Sequence, residues 1–347
     1  MLMKKSFIYI ILIFLSANIL KAQSGSYPGA FARLGFGARG LAMGNAMTSN
    51  VFGDISGYYN PALPCFQDDA VINLGYTFLN LDRKLNFVGV TKKFKIPNQP
   101  SGGAGISLGW INSGVNNIDI RDNDGNPLGM NSVYENQFFL NTAFLMSDEF
   151  SVGVAFKLYY SKLYTDITAT NVAFDIGAAY KASENLAFGF AVKDISAKYK
   201  WETSKIYGSN GTTTENKFPT LWRIGTTYRL PNKRGSASLD FEMQYNPIFV
   251  INQETGEQSV RKNNYYLRCG VEYILSENPS LSVIARAGMD RIDLSGDDFT
   301  GNLKPGFGVS IMKPFSNKIL IGLDYSFQFE PYTHNPIQNL GVNFKFK

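Results

Sequence analysis

The residues best placed by type and spacing to do chemistry are Gly35-Phe36-Gly37-Ala38-Arg39-Gly40, a literal G-x-G-x-x-G. Glycines at that spacing let a backbone cradle a pyrophosphate when a strand leads into them within a βαβ unit. No strand precedes them here and no βαβ unit surrounds them, so a dinucleotide site is rejected. His334 is the single histidine, which leaves imidazole metal sites and a Ser–His hydrolase little material. Neither Cys65 nor Cys269 has a partner that would make it a nucleophile. Asp122-Asn123-Asp124-Gly125 and Asp297-Asp298 offer oxygen ligands for Ca²⁺. EF-hand closure is missing from both, and turn chemistry accounts for Asp-Gly. The sequence therefore reads as non-enzymatic, with no cofactor and no metal.

What must position any functional group is a set of strands. Period-two alternation recurs from about residue 69 to the end of the chain. In Ile319–Glu330, Ile319, Ile321, Leu323, Tyr325, Phe327 and Phe329 alternate with Leu320, Gly322, Asp324, Ser326, Gln328 and Glu330, so one face is oily and the other mostly polar. Segments of this kind predict about fourteen strands: 69–81, 84–95, 103–112, 135–146, 149–162, 172–182, 185–195, 221–231, 235–246, 263–275, 279–289, 305–315, 318–328 and 337–346. Most have the length a tilted strand needs to cross a bilayer, and they exceed the strands usual in a soluble sandwich. The final strand alternates Leu340, Val342, Phe344 and Phe346 with polar residues or glycine, similar to the signal that barrel-assembly machinery reads. Few mid-strand Pro or bulge signals interrupt these runs.

The links between strands alternate in length. Short ones (97–102, 147–148, 183–184, 232–234, 276–278 and 316–317) follow the even strands, and most odd strands precede long polar ones (113–134, 163–171, 196–220, 247–262, 290–304 and 329–336). Asp82–Arg83 alone is short on the long-loop rim. Short turns on one rim and long loops on the other are the pattern of a transmembrane antiparallel β-barrel, with the short side and both chain ends periplasmic.

If the apolar alternates face outer-membrane lipid, the opposite phase points inward. It carries Lys157, Lys193, Arg223, Arg229, Asp240, Glu242, Arg268, Glu272, Arg286, Asp290 and Asp324. Charges of both signs suit ion pairs bracing a lumen, and a permeation path is the alternative. The same phase turns Cys269 to lipid, which disfavours a disulfide.

Residues 1–22 begin with Lys4 and Lys5, continue through an apolar run from Phe7 to Leu20 and reach small residues near Ala22. That layout predicts a cleaved secretory signal peptide. Lys4, Lys5 and Lys21 lie in it and no acidic residue does, so its removal lowers the formal charge from +5 to +2. The basic balance is then a targeting feature, and no dense Lys/Arg run points to nucleic acid.

Residues 23–68 lie between signal and barrel (69–347). In them Gly40 and Gly44 recur at i, i+4 with Ala38 and Ala42 offset. A small-residue helical face of that kind can approach a wall closely, and Asn60-Pro61 ends any helix and turns the chain toward the first strand. The segment is expected inside the lumen.

The order Phe31-Ala32-Arg33-Leu34-Gly35-Phe36-Gly37-Ala38-Arg39-Gly40-Leu41-Ala42-Met43-Gly44, then Asp54 and Asn60-Pro61-Ala62-Leu63, resembles the N-terminal signature of the PorV/PorQ family. That family is related in fold to FadL-type transporters of hydrophobic molecules, which have fourteen strands and an N-terminal hatch. The motif covers about residues 31–63. The resemblance implies hatch-forming roles for Gly35, Gly37, Arg39, Gly40, Gly44, Asp54, Asn60 and Pro61. It also implies an outer-membrane docking or shuttle component of type IX protein secretion, with secretion components or secreted cargo as partners. A FadL-like transporter of hydrophobic small molecules is the alternative.

Overall fold

The computed structural model describes residues 27–96, 103–164, 166–246, 249–251, 258–260, 263–296, 303–331 and 336–347. The expected signal peptide, His334 and Asp297-Asp298 lie outside them.

Alternation produces a sheet that closes on itself. Fourteen strands form one antiparallel barrel: β1 (Ala70–Phe78), β2 (Lys84–Lys95), β3 (Gly103–Arg121), β4 (Pro127–Leu145), β5 (Phe150–Tyr164), β6 (Ile167–Lys181), β7 (Leu186–Ile195), β10 (Thr220–Arg229), β11 (Gly235–Tyr245), β14 (Asn264–Asn278), β15 (Leu281–Asp293), β16 (Lys304–Ser316), β17 (Ile319–Gln328) and β18 (Ile337–Phe346). Closure is by β1 on β18, from Ala70 opposite Phe346 to Phe78 opposite Gln338. Two hairpins stand outside the barrel, β8 (Lys198–Glu202) with β9 (Thr213–Lys217) and β12 (Phe249–Ile251) with β13 (Gln258–Val260). No helix among the described residues is long and apolar enough to cross a membrane. Closure leaves no unpaired sheet edge, which a wall in hydrocarbon requires.

The oily alternates face outward. Leu108, Phe138, Leu140, Phe156, Ile224, Val271, Leu323 and Leu340 are all exposed, a continuous apolar surface that would be a liability in water and is a solvent match in lipid. Toward the long-loop rim the outward face turns polar on β2–β4. Asn86 donates to Asn112 (3.3 Å), and Asn112 and Trp110 both donate to Asn136 (3.0 Å each).

Several details depart from the sequence expectation. The expected loop 113–134 is mostly strand, because β3 and β4 run on as a paired hairpin to Arg121 and Pro127. The link expected at 163–171 shrinks to a turn between Tyr164 and Ile167. Pairing satisfies backbone groups that a long loop would leave to water. Asp82–Arg83 does form a tight hairpin, with Leu79 N donating to Arg83 O at 3.1 Å. The ladders are also less regular than expected. Shifts occur between Val115 and Ile118, Phe174 and Ile176, Leu267 and Cys269, Ile274 and Ser276, and Pro314 and Ser316. Asn117 and Asp194, at φ 59° and 61°, supply left-handed kinks of the sort Gly usually marks. Sequence alternation does not flag them because Asn and Asp enter that region without glycine.

Candidate functional site

The lumen is filled by residues 27–67. Phe31, Phe36, Met43, Met47, Ile55, Tyr58, Tyr59 and Leu63 from this segment join Leu85, Phe87, Ile111, Phe139 and Tyr159 from the wall in one buried cluster. The barrel core is therefore made by a separate piece of chain.

The Gly-rich motif acts through local geometry. Gly37–Ala42 forms a six-residue helix that ends in a Schellman motif: Asn45 N donates to Gly40 O (2.7 Å) and Gly44 N to Leu41 O (3.2 Å). Gly44 sits past the helix at φ 58°, and a Cβ there would run into the Met289 backbone of β15. The expected i, i+4 glycine face is thus not a helical face. Gly40 instead leaves room for the Tyr59 hydroxyl from within the segment. That hydroxyl accepts from Phe36 N at 2.9 Å and lies 3.0 Å from both Phe36 O and Asn45 Oδ1. Gly35 (φ 125°) and Gly37 (φ 77°) frame the Phe36 turn.

The wall receives this segment on glycines that sequence reading did not single out. Gly153 pairs with Gly177, Gly189 with Gly225, and Gly270 with Gly288, which pairs in turn with Gly306. All lie in the inward phase. A Cβ at Gly153 would strike Pro61, at Gly177 Asn60, at Gly189 Thr48, at Gly270 or Gly288 Met43, and at Gly306 Leu41. Except at Gly177, which meets the Asn60 side chain, backbone of the segment lies directly on backbone of the wall, which only glycine allows. The available signal was an inward-phase glycine in strand after strand.

Polar ties then fix the segment against β5–β7, β11, β14, β15 and β18. Asn60 is fully buried, and its amide donates to Thr48 O (2.9 Å), Ala178 O (3.0 Å) and Phe190 O (3.2 Å). Pro61 follows in the turn across Gly153. Ser151 donates to Ala62 O, Asp240 accepts from Thr48 N, and Asp290 accepts from Asn45. Arg39 is the hub: it donates to Phe52 O (2.8 Å), to Asp54 O and to Glu272 (3.0 Å). The Asp54 carboxylate pairs with Lys345.

The inward charges form connected sets. Arg223 and Arg268 share Glu242, and Arg268 also holds Asp290. Arg286 joins Arg39 on Glu272, while Asn343 donates to Asp324. Lys157 bridges Asp175 (2.7 Å) and Asp194 (2.8 Å), and Lys193 donates to Tyr58 O (2.6 Å). Arg229 stands apart near the short-turn rim, stacked 4.4 Å from the Phe52 ring centroid. Buried charges in this setting are held because each meets an opposite charge or a polar group.

Strands β1–β4 present a different surface. Phe36 packs on Phe87 (4.6 Å between centroids), Tyr58 (5.3 Å) and Phe139 (5.9 Å). The wall beside these rings is thinned by Gly89 and Gly109, which face each other across β2 and β3. A Cβ on Gly89 would meet Phe36, and one on Gly109 would meet Phe139. Outside the same glycines runs an apolar groove lined by Val88, Val90, Leu108, Trp110, Phe138 and Leu140. At the long-loop end, Phe218 seals the lumen by packing on Tyr199 (4.8 Å) and Tyr159 (5.0 Å).

No protein-family model matches the chain, and no curated protein matches it in sequence. Solved structures do match in shape. The CymD monoaromatic hydrocarbon channel superposes with a TM-score of 0.57 at 10% identity, over 90% of this chain and 97% of that one. A Pseudomonas aeruginosa FadL homologue gives 0.56 at 12% identity, over 90% and 98%. The chain shares the fold of these barrels. The Ralstonia pickettii toluene transporter TbuX, at 0.55 and 11% identity over 90% and 98%, has the same architecture. At such identities the likeness is one of fold and carries no role over to this chain. Cys65 and Cys269 are both free thiols in it, and the described residues contain no cluster of His, Cys, Asp and Glu able to hold a metal.

Proposed function

We propose that this chain is a plugged outer-membrane barrel that passes hydrophobic small molecules, without catalysis, from its lumen into the bilayer. The carrying observation is the thin wall at Gly89 and Gly109, with an aromatic cluster on its inner side and an apolar groove on its outer side. A hydrophobic molecule leaving the rings of Phe36 and Phe139 there moves between two apolar environments and never meets water, so little desolvation cost opposes it. The fold likeness to hydrocarbon channels supports the same reading. In this proposal residues 1–22 direct export and are removed, residues 23–68 are the hatch, and the short-turn rim with both chain ends is periplasmic. The test is uptake of toluene by cells lacking the protein, complemented with the native chain or with Gly109→Leu, which fills the wall against Phe139. Uptake should return with the native chain and fall with the variant. Equal uptake in all three strains sinks the reading.

A docking or shuttle role in type IX protein secretion, the function implied by the PorV/PorQ resemblance, is the second reading. It is favoured by the projecting β3–β4 hairpin, whose Leu128 and Met130 are strongly exposed, because exposed apolar residues at a hairpin tip suit a protein partner. Affinity purification of the tagged barrel would then recover secretion components or cargo. Recovery of the barrel alone in mild detergent, together with toluene uptake, decides for transport.

A further inference from the structure

At the short-turn mouth the segment and the wall line a half-open cavity of about 150 Å³. Six cationic side chains line it: Arg39, Arg229, Lys233, Arg234, Arg286 and Lys345. Two carboxylates, Asp54 and Glu272, face them and are already committed. Glu272 serves Arg39 and Arg286, and Asp54 serves Lys345. Arg229, Lys233 and Arg234 have no carboxylate of the cavity within ion-pair distance. Among the described residues the one carboxylate that Arg229 and Lys233 reach is Glu184, at 3.7 Å and 3.5 Å, and that side chain is 68% exposed. Arg229 donates to Glu184 O and Arg234 to Leu275 O, each through one terminal nitrogen. Their Nε atoms are buried and without a hydrogen-bond partner among the described residues. Stacking on Phe52 holds the Arg229 guanidinium in place.

The two Nε atoms are closed off from the cavity, so an anion there would meet the terminal nitrogens of the Arg229 and Arg234 guanidinium groups. Three cations uncompensated within the cavity also make a positive potential that low-dielectric walls concentrate. We infer that this mouth is a binding site for a phosphate group, held by Arg229 and Arg234 with Lys233 supplying further charge. A tetrahedral phosphate anion, whether a diester or a monoester, offers at least two free acceptor oxygens to donors arriving from different directions. The group belongs to a phospholipid head group at the membrane surface or to a soluble phosphorylated molecule, and the site is independent of whether hydrocarbon crosses the wall.

The test uses the full chain purified in a phosphate-free, uncharged detergent and titrated calorimetrically with inorganic phosphate. Saturable binding is expected, weakening as salt is added. Affinity should fall at least about tenfold when Arg229→Gln and Arg234→Gln are combined, on the scale of losing charge-assisted bonds. It should fall by a smaller factor in Lys233→Gln, an exposed turn position that leaves folding intact. Mixed micelles containing phosphatidylglycerol will displace phosphate if the source is a head group, and phosphorylated sugars will do so if it is soluble. Absence of saturable phosphate binding by the native chain, or unchanged affinity in Lys233→Gln and the double variant alike, overturns the assignment.

Discussion

The two sides of the lumen hold the same N-terminal segment by opposite means. Along β10, β11, β14 and β15 it is tied by direction-dependent contacts: Arg39 to Glu272, Asn45 to Asp290, Thr48 N to Asp240, and Ser49 to Thr227. Behind these stand Arg223, Glu242 and Arg268. Along β1–β4 it rests on rings, with Phe36 between Phe87 and Phe139 and glycine behind them. A charged network has one satisfied arrangement, and displacement leaves buried charge unpaired. An apolar contact is non-directional, and a ring can change rotamer for far less. One wall therefore holds the segment through directional contacts, and the facing wall holds it through contacts that a rotamer change can relax.

The largest blow to this contrast should come from Glu242→Gln. It leaves Arg223 and Arg268 facing a neutral amide, and loss of one partner in a buried pair costs about 3–5 kcal/mol. Thermal unfolding in detergent should shift accordingly, and an unchanged melting temperature would show that the ion network does not anchor. Next comes Gly288→Val. Its Cβ enters the backbone of Met43 and Gly44, so overpacking of about 1–3 kcal/mol is expected. Residues 27–67 should also become more open to limited proteolysis. Gly322→Ala is the control, since its Cβ would lie 3.4 Å from Met312 Cγ in ordinary contact. If Gly322→Ala is as damaging as Gly288→Val, the glycine seat is not specific.

On the yielding side, Phe139→Leu should cost only about 1 kcal/mol while raising toluene passage, because it shortens the ring against Gly109. A stability loss as large as that of Glu242→Gln would erase the contrast. Smallest of all should be Glu184→Gln on the short-turn rim. Lys181 first, and then Lys233, hold this exposed carboxyl below its usual titration range. A depressed carboxyl contributes stability above its unfolded pKa that is lost as pH falls through the lower folded value. The difference between native chain and variant should therefore be slight at pH 7 and absent in strong acid. A difference that grows on acidification would contradict that sign.

Much of the architecture was legible along the chain. Alternation identified fourteen strands and told inward from outward residues, because side-chain direction in a strand is a local property with period two. The short link at Asp82–Arg83, the one exception to the alternation of loop lengths, is a tight hairpin as expected. Left-handed Asn117 and Asp194 were not legible, since their kinks answer to cross-strand register and leave no mark in the alternation. The long β3–β4 hairpin was hidden because its Gly, Asn, Asp and Pro favour loops, a preference that cross-strand pairing overrides here.

The sequence by itself determined that the wall is a membrane-type barrel with a charged interior, and that something glycine-rich precedes it. How the two meet is a matter of long-range packing. Which glycine takes which backbone, which carboxylate takes Arg39, and where rings replace charges depend on residues more than two hundred positions apart, such as Arg39 and Glu272. Periodicity records which way a side chain points. Closure of the barrel around a second piece of chain settles what it points at.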